Sequence, residues 1–237
     1  MIPAILGGVS IAGLATLAGW NMMSPTSQLY GNTFIGLRPG SKCMALTYDD
    51  GPNDPYTLQM LDVLLRHGVK ATFFLIGRFV RQRPDIARMV VEAGHAVGSH
   101  TWDHPNLIYA TQAEVRRQLE LTHKAILDAT GVDAKLFRPP WGARRPATLR
   151  TVRAFELQPV MWSVTCYDWK AASADEIVAK AERQIRGGDV ILLHDGRHCE
   201  MGWDRSRTVE ATEHILTRYQ GEGYEFVTIP EMMARNS

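Results

Sequence analysis

Residues 43–52 read CMALTYDDGP, an apolar run that passes directly into two aspartates and a Gly-Pro pair. A short, continuously apolar run is typical of a β-strand that is buried on both faces, as in a parallel sheet. The Gly-Pro pair indicates where such a strand ends. This stretch therefore predicts a parallel strand, Cys43–Thr47, whose carboxyl end is followed by two carboxylates.

Six further apolar runs follow, and amphipathic stretches that end at glycines separate most of them. Seven strands that alternate with helices predict an α/β domain with a parallel sheet and right-handed crossovers, either doubly wound or closed into a barrel. The predicted strands after the first are Thr72–Ile76, Ala96–Ser99, Lys135–Arg138, Pro159–Val164, Val190–Leu193 and Glu225–Ile229. The predicted helices are Thr57–Arg66, Arg83–Glu92, Thr111–Thr130, Ser173–Arg186 and Thr208–Gln220.

The charges divide the chain into two segments. The 26 Lys/Arg and 25 Asp/Glu leave a formal charge of +1, and the first charged side chain is that of Arg38. A chain of 237 residues can form a full hydrophobic core, and this one lacks the basic excess of a protein that binds nucleic acid through phosphate contacts. We therefore predict an uncharged leader, residues 1–37, followed by one globular domain, residues 38–237.

The leader contains nineteen consecutive residues without a charge, Ile2–Trp20. This length is close to the ~20 residues that a helix needs to cross a bilayer. We interpret the stretch as a membrane anchor or as a cleaved export signal, with an apolar element packed on the domain as the third alternative. The first two interpretations predict an extracytoplasmic protein, and the anchor interpretation also predicts attachment to a membrane through residues 2–20.

Polar residues follow five of the predicted strands, and the carboxyl ends of parallel strands lie at one edge of a sheet. His100 and His104 follow the third strand, and their i, i+4 spacing places them on one face if the chain turns helically there. Two imidazoles and a carboxylate form the ligand set of a catalytic zinc site. Without further residues, the pair is equally typical of two surface histidines.

Asp49 and Asp50 strengthen the metal-site hypothesis. Neighbouring residues of a regular strand point to opposite faces, so two adjacent carboxylates converge only where the strand has ended. One carboxylate would then complete the metal site, and the other would act as a base toward water. The alternative is a pair of aspartates that caps the following helix.

Arg138, His194 and Asp168 are the remaining candidates for proton chemistry. An arginine beside an aspartate favours the ionised carboxylate, and an ordinary surface ion pair is the alternative for Arg138. His194 is either a hydrogen-bonded core residue or, with Asp168 to keep it protonated, a general acid. Four tryptophans in the same loops suit either core packing or stacking on a flat ligand: Trp102, Trp141, Trp169 and Trp203.

In their order along the chain, these motifs resemble the polysaccharide deacetylase family, also called the NodB-homology domain or carbohydrate esterase family 4. The resemblance extends over about Lys42–Glu231. In its fourth motif, Thr165 stands where the family often has another aspartate, and we expect this departure to affect substrate fit more than chemistry. The motifs are Thr47-Tyr48-Asp49-Asp50, His100–His104, Arg138-Pro139-Pro140-Trp141-Gly142, Asp168-Trp169 and Leu192-Leu193-His194-Asp195.

The resemblance implies a distorted (β/α) barrel with about seven parallel strands in a single domain. It also implies one divalent metal ion, usually zinc, although the ligand types admit cobalt, nickel or manganese. By their positions in the motifs, Asp50, His100 and His104 would hold this ion.

The resemblance further implies the roles of the other motif residues. Asp49 would be the general base, kept ionised by Arg138, and His194 would be the general acid, oriented by Asp168. The residues that would contact the substrate are Trp141, through its backbone N–H in the oxyanion hole, Leu192, in the pocket for the acetyl methyl group, and Tyr167 and Trp169.

The predicted function is that of a metal-dependent hydrolase, a monomer, that removes acetyl groups from N-acetylated sugars of a polysaccharide. Peptidoglycan and chitin-like oligosaccharides are the expected substrates. An O-acetyl xylan esterase and a hydrolase of small cyclic amides or ureides are alternatives. A non-catalytic protein that binds a cell-wall glycan is an alternative of another class.

The three cysteines are too few for a disulfide scaffold. Cys166 and Cys199 follow adjacent predicted strands at the same edge of the sheet, so one bridge between them is an alternative in an exported domain. We favour free thiols over this bridge. Cys43 begins the first strand at the opposite edge.

Overall fold

The central strand of the sheet is longer than its apolar run predicts. The computed structural model describes residues 11–236, with side chains from residue 16 onward, and its strand β1 covers Cys43–Gly51. The prediction that this strand ends at Thr47 was wrong, because β1 continues through both aspartates. Their carboxylates converge because the register against the next strand shifts between Asp49 and Gly51, and Asp50 has a φ of +74°.

One predicted strand, Pro159–Val164, is divided into two short strands that pair with opposite ends of the sheet. Val160 N–H donates to the carbonyl of Phe137, whereas Ser163 N–H donates to the carbonyl of Val190. A single extended stretch therefore joins the two ends of the sheet. The described strands after β1 are β2 (Thr72–Leu75), β3 (Ala96–Ser99), β4 (Leu136–Phe137), β5 (Gln158–Pro159), β6 (Val164–Thr165), β7 (Val190–His194) and β8 (Glu225–Phe226).

All of these strands pair in parallel, in the order β5-β4-β3-β2-β1-β7-β6, and β8 pairs with the start of β1. Because β5 and β6 lie at the two ends of this order and are joined by only residues 160–163, the sheet must curl. The predicted distorted (β/α) barrel of about seven parallel strands is confirmed, with the fifth strand interrupted at the point of closure.

Helices cover the outer face of the sheet. Side chains cap two of the helices at their N-termini, since Thr111 Oγ1 accepts from Glu114 N–H and Ser173 Oγ accepts from Glu176 N–H. The sequence did not predict the third, sixth and ninth helices, and the first overlaps the leader stretch Ile2–Trp20. The helices of the described residues are α1 (Ile11–Met23), α2 (Tyr56–Arg66), α3 (Gly77–Gln82), α4 (Pro84–Glu92), α5 (Gln112–Thr130), α6 (Pro146–Ala154), α7 (Ala174–Glu182), α8 (Ser206–Gly221) and α9 (Ile229–Ala234).

Alternate side chains of β1 pack into two different cores. Leu46 and Tyr48 are fully buried in the cluster between the sheet and the helices, whereas Ala45 packs in a second cluster inside the barrel. Asp49 continues the inward-facing series and lies opposite His194 of β7 in the strand register. The strand period of two residues therefore places these two side chains together inside the barrel, at the carboxyl ends of the strands.

The end of the leader is integrated into the sheet. Phe34 N–H donates to the carbonyl of Pro159, and Met161 N–H donates to the carbonyl of Phe34. The backbone around Phe34 thus continues the hydrogen bonding at the point where the barrel closes.

Among residues 11–236, no helix is both long enough and apolar enough to cross a membrane. The interpretation of Ile2–Trp20 as an anchor or an export signal depends partly on residues 1–10, which lie outside the described residues. The division of the chain after residue 37 stays a prediction.

Gly196, which follows β7, packs against the end of β1, and we expect the stability of the protein to be sensitive to a substitution there. A Cβ atom at Gly196 would lie 2.2 Å from the main-chain oxygen of Asp50, so the backbone would have to shift. We expect Gly196→Ala to lower the free energy of unfolding by about 1–3 kcal/mol, the usual cost of overpacking. Urea denaturation measures this loss.

Gly221→Ala is the matched control, because a Cβ atom at this position has no atom within 4 Å. It should leave the free energy of unfolding nearly unchanged. Equal stability of the Gly196→Ala variant and the wild type would contradict the predicted contact.

Candidate metal and catalytic site

Three buried side chains converge to form a candidate metal site: Asp50, His100 and His104. Their ligand atoms lie within 4.8 Å of one another, with Asp50 Oδ1 3.6 Å from His100 Nε2 and 3.4 Å from His104 Nε2. Asp50 Oδ1 is buried and has no hydrogen-bond partner among the described residues. Such an oxygen is costly to bury, and a cation between the three groups would satisfy it. One carboxylate and two imidazoles suit zinc, so the residues present fit the ion that the sequence predicts.

The backbone after β3 sets the orientation of both histidines. It does not form the helical turn that the i, i+4 spacing suggested, because Thr101 and His104 have φ values of +68° and +63°. His100 Nδ1 hydrogen-bonds to the carbonyl of Arg138 at 2.8 Å, which leaves Nε2 on the side of Asp50. Burial, followed by the proximity of His100, lowers the pKa of His104, so its ring stays neutral as a metal ligand must.

Asp49 and Arg138 form a buried ion pair beside the metal site. Arg138 is completely buried, and its Nη1 donates to Asp49 Oδ1 and to Thr47 Oγ1, both at 2.8 Å. Its Nη2 donates to the carbonyl of Met161 at 3.0 Å, and its guanidinium lies 4.1 Å from the ring centre of Phe74. The alternative of an ordinary surface ion pair is therefore excluded.

Asp168 holds His194 through two hydrogen bonds. Asp168 Oδ1 is 2.8 Å from His194 Nδ1, and Oδ2 accepts from the backbone N–H of His194 at 2.8 Å and from the Thr208 hydroxyl at 3.0 Å. Burial by itself would raise the pKa of Asp168, but the charge and hydrogen bonds of His194 outweigh it, and this pKa is lowered. Burial would lower the pKa of His194, but Asp168 outweighs it, and this pKa is raised. His194 is therefore disposed to carry a proton.

A cavity of about 480 Å³ connects these groups. Asp49, His194 and the three candidate metal ligands all line it, whereas Arg138 and Asp168 do not and lie behind the residues that they contact. The cavity therefore brings the candidate base, the candidate acid and the candidate metal site together.

The predicted substrate-contacting residues divide into two groups. Trp141, Leu192 and Trp169 line the cavity, and the ring of Trp169 meets that of His194 edge-on at 5.1 Å. Tyr167 does not line the cavity, and its ring packs against Trp169 at a centroid distance of 5.3 Å.

Several cavity-lining residues were missed by the sequence analysis, among them His198 and Met23. The ring of His198 stacks on that of His104 at 4.5 Å, and its backbone N–H donates to Asp50 Oδ2 at 3.2 Å. Its position four residues after His194 was an available signal. Met23 carried no such signal, because it belongs to the uncharged leader.

The three cysteines are free. Cys43 and Cys166 are buried, Cys199 is exposed, and the Cys166–Cys199 bridge is not formed. Burial raises the pKa of the Cys166 thiol well above its usual value, which keeps this side chain in the unreactive thiol form.

The fold and the site together define a (β/α) barrel protein with a candidate metal site at the carboxyl ends of its strands. The model of the family described as polysaccharide deacetylase matches residues 36–160. The chain belongs to the polysaccharide deacetylase family.

Two named relatives and one solved structure illustrate the similarity. The peptidoglycan-N-acetylglucosamine deacetylase PgdA of Listeria monocytogenes is 38% identical over 81% of this chain, which spans only 39% of that relative's length. A chitooligosaccharide deacetylase of Bradyrhizobium is 36% identical, over 81% of this chain and 91% of the relative. The structure of the Bc1960 peptidoglycan N-acetylglucosamine deacetylase gives a TM-score of 0.77 at 34% identity, over 84% of this chain and 91% of that chain.

The buried ion pair predicts a strong energetic coupling. We expect Arg138→Met to lower the free energy of unfolding by about 3–5 kcal/mol, because it leaves the Asp49 carboxylate buried without a countercharge. Arg138→Met combined with Asp49→Asn should be more stable than Arg138→Met alone. Urea denaturation of the single and double variants measures the coupling.

Arg66→Met is the matched control, because Arg66 pairs with Glu213 at the protein surface. Arg66→Met should lower the free energy of unfolding by less than about 1 kcal/mol. If the losses of Arg138→Met and Asp49→Asn simply add, the two side chains are not coupled in the way the geometry indicates.

Proposed function

We propose that the protein is a metal-dependent deacetylase that removes acetyl groups from N-acetylglucosamine residues of a glycan. The observation that carries the proposal is the convergence of Asp49, His194 and the Asp50–His100–His104 ligand set on one cavity. The names of the relatives support an N-acetylated sugar over O-acetylated xylan or a cyclic amide. The uncharged leader and the peptidoglycan named for a relative support a location outside the cytoplasm. Because one chain supplies every proposed catalytic group, a monomer would suffice.

Asp50, His100 and His104 would hold the metal ion, and zinc is the ion that best suits these ligands. When bound, a divalent ion supplies a Lewis acid for the acetyl carbonyl and lowers the pKa of a water molecule. The carbonyl of Arg138 would keep His100 Nε2 directed at the ion, since it already accepts a hydrogen bond from Nδ1.

Asp49 would accept a proton from the attacking water. Its Oδ1 is held by Arg138, and its Oδ2 lies 3.7 Å from His100 Nε2, on the side of the metal site. His194 would donate a proton to the sugar nitrogen as the C–N bond breaks, so that acetate and a free amine leave. Asp168 would keep His194 protonated and fix its ring through Nδ1, which leaves Nε2 for proton transfer.

The other cavity residues would bind and orient the substrate. The backbone N–H of Trp141 would donate to the oxyanion, and one such donor lowers a barrier by about 3 kcal/mol. The buried side chain of Leu192 would contact the acetyl methyl group, and Trp169 would stack on the sugar ring. Tyr167 would act indirectly by supporting Trp169.

The assigned roles predict different losses for two variants. Asp49→Asn should lower acetate release from an N-acetylglucosamine pentamer by about 10²–10⁴-fold, the usual contribution of a general base, but should still bind zinc. His104→Ala should lose both zinc binding and activity, because it removes a ligand. Acetate assays and isothermal titration with zinc separate the two effects.

His123→Ala is the control, because His123 is exposed and its partner Asp133 is at the surface. His123→Ala should keep both zinc binding and acetate release. Acetate release at a near wild-type rate from Asp49→Asn would show that the base is a different residue. A wild-type protein that binds the pentamer and releases no acetate would favour the glycan-binding alternative.

The Asp168–His194 pair predicts a change in the pH profile. In the proposed mechanism His194 must be protonated, so its pKa sets the basic limb of kcat/KM. Asp168 raises this pKa against the opposing effect of burial, and Asp168→Asn should therefore move the basic limb to lower pH. Acetate release measured across the pH range tests the direction of the shift.

Asp175→Asn is the matched control, because Asp175 lies 3.7 Å from His214 at the surface and far from the cavity lining. It should leave the profile unchanged. A basic limb that stays in place in Asp168→Asn would rule out His194 as the group that it reports.

A further inference from the structure

Arg144 is a buried arginine that the proposed mechanism does not use. It is 1% exposed, and it forms no ion pair with a carboxylate among residues 16–236. Burial lowers its pKa to about 10, so the guanidinium stays charged at neutral pH. A buried charge without a countercharge is costly, and hydrogen bonds must offset that cost.

The hydrogen bonds of Arg144 join two separate parts of the chain. Nη1 donates to the carbonyl of Gly142 at 2.9 Å, in the turn that carries Trp141. Nη2 donates to the carbonyls of Ser24 and Ser27, both at 2.8 Å. The guanidinium therefore connects the proposed oxyanion turn to the segment that follows α1.

The backbone adds a further connection at the same place. Arg144 N–H donates to the carbonyl of Met22 at 3.0 Å, and Ser24 N–H donates to the carbonyl of Trp20 at 2.8 Å. Residues 22–27, which we call the leader strap, thus accept three hydrogen bonds from Arg144, one from its main-chain N–H and two from Nη2. Main-chain acceptors make this contact independent of the strap's side chains.

The leader strap presents Met23 to the cavity. Met23 lines the cavity together with Trp141, and its side chain is 42% exposed. A half-exposed thioether beside an aromatic ring is an adaptable apolar surface, suited to the C–H face of a sugar ring. The uncharged leader thus contributes Met23 to the lining of the cavity.

We propose that Met23 contacts the glycan beside the acetamide that reacts, and that Arg144 is the positioning residue that holds Met23 and the oxyanion turn together. This inference rests on the proposed deacetylase function. It adds a subsite that recognises a neighbouring sugar ring, so its contribution should grow with the length of the glycan.

The test compares steady-state acetate release from N-acetylglucosamine pentamer and dimer by the full-length, zinc-loaded protein. Met23→Ser should raise KM for the pentamer by about tenfold, the low end of the range for a lost apolar contact, and leave kcat nearly unchanged. For the dimer we expect a smaller change. Because Met23 is largely solvent-accessible, this variant should fold with a wild-type melting temperature.

Arg144→Gln should raise KM to the same extent and also lower kcat, because it releases both the strap and the turn. In Met23→Ser combined with Arg144→Gln, KM should match that of Arg144→Gln alone, since both changes act on one contact. A purely structural role would instead lower the melting temperature and the active fraction, with KM unchanged. The matched control is Arg153→Gln, because Arg153 Nη2 donates to the carbonyl of Asn32, outside the strap and the cavity.

The possible results separate this inference from the proposed function. An active wild type together with a Met23→Ser variant whose pentamer KM is within twofold of wild type would overturn the subsite and leave the deacetylase proposal standing. A zinc-loaded wild type that releases no acetate from either substrate would overturn both. If the effects of Met23→Ser and Arg144→Gln on KM add, the two residues act independently, and Arg144 does not position Met23.

Discussion

The guanidinium of Arg138 is the charge on which the interior of the barrel depends. It is completely buried, and a charge in that position is stable only if its donors are paired. Its partners lie on the central strand, at Asp49 and Thr47, and on the closing segment, at Met161. The need to satisfy one cation therefore ties the middle of the sheet to the stretch where its ends meet.

The same residue links the barrel interior to the candidate metal ligands. Arg138 holds one oxygen of Asp49 with its side chain and the ring of His100 with its backbone carbonyl. The proposed general base and a candidate metal ligand are consequently oriented by a single position on β4's carboxyl side. Arg138 itself lies behind the cavity wall, so under the proposed function its effect would reach the substrate through Asp49 and His100.

The sequence predicted the alternation of strands and helices and the gathering of Asp49 and His194 at the carboxyl ends of the strands. In the structure, the period of two residues in β1 places Asp49 on the inner face, and the parallel order places His194 beside it. The fold was predictable for the same reason, because each strand and most helices carry their own pattern. The split of Pro159–Val164 was not, since it depends on hydrogen bonds to Phe137 and Val190, which are distant in sequence.

Backbone conformation accounts for much of what the sequence did not predict about the site. Asp50 would face outward in a regular strand, and its left-handed φ turns it to the two histidines. Such conformations cost about 1–3 kcal/mol each in non-glycine residues and persist where the surrounding structure enforces them. Of the six described non-glycine residues with positive φ, five lie in the strand-end loops of the site: Asp50, Thr101, His104, Trp141 and Tyr167.

The uncharged leader illustrates the other limit of sequence reasoning. Its composition does not distinguish an anchor, a signal and a packed element, because a run without charges is compatible with all three. The contacts of Arg144 give its end a second role, since the main-chain carbonyls that accept from this arginine carry no sequence signature. Because α1 ends at Met23, which lines the cavity, the carboxyl end of this helix lies at the site. Location and substrate binding would then depend on the same few residues, and a change to one would be expected to alter the other.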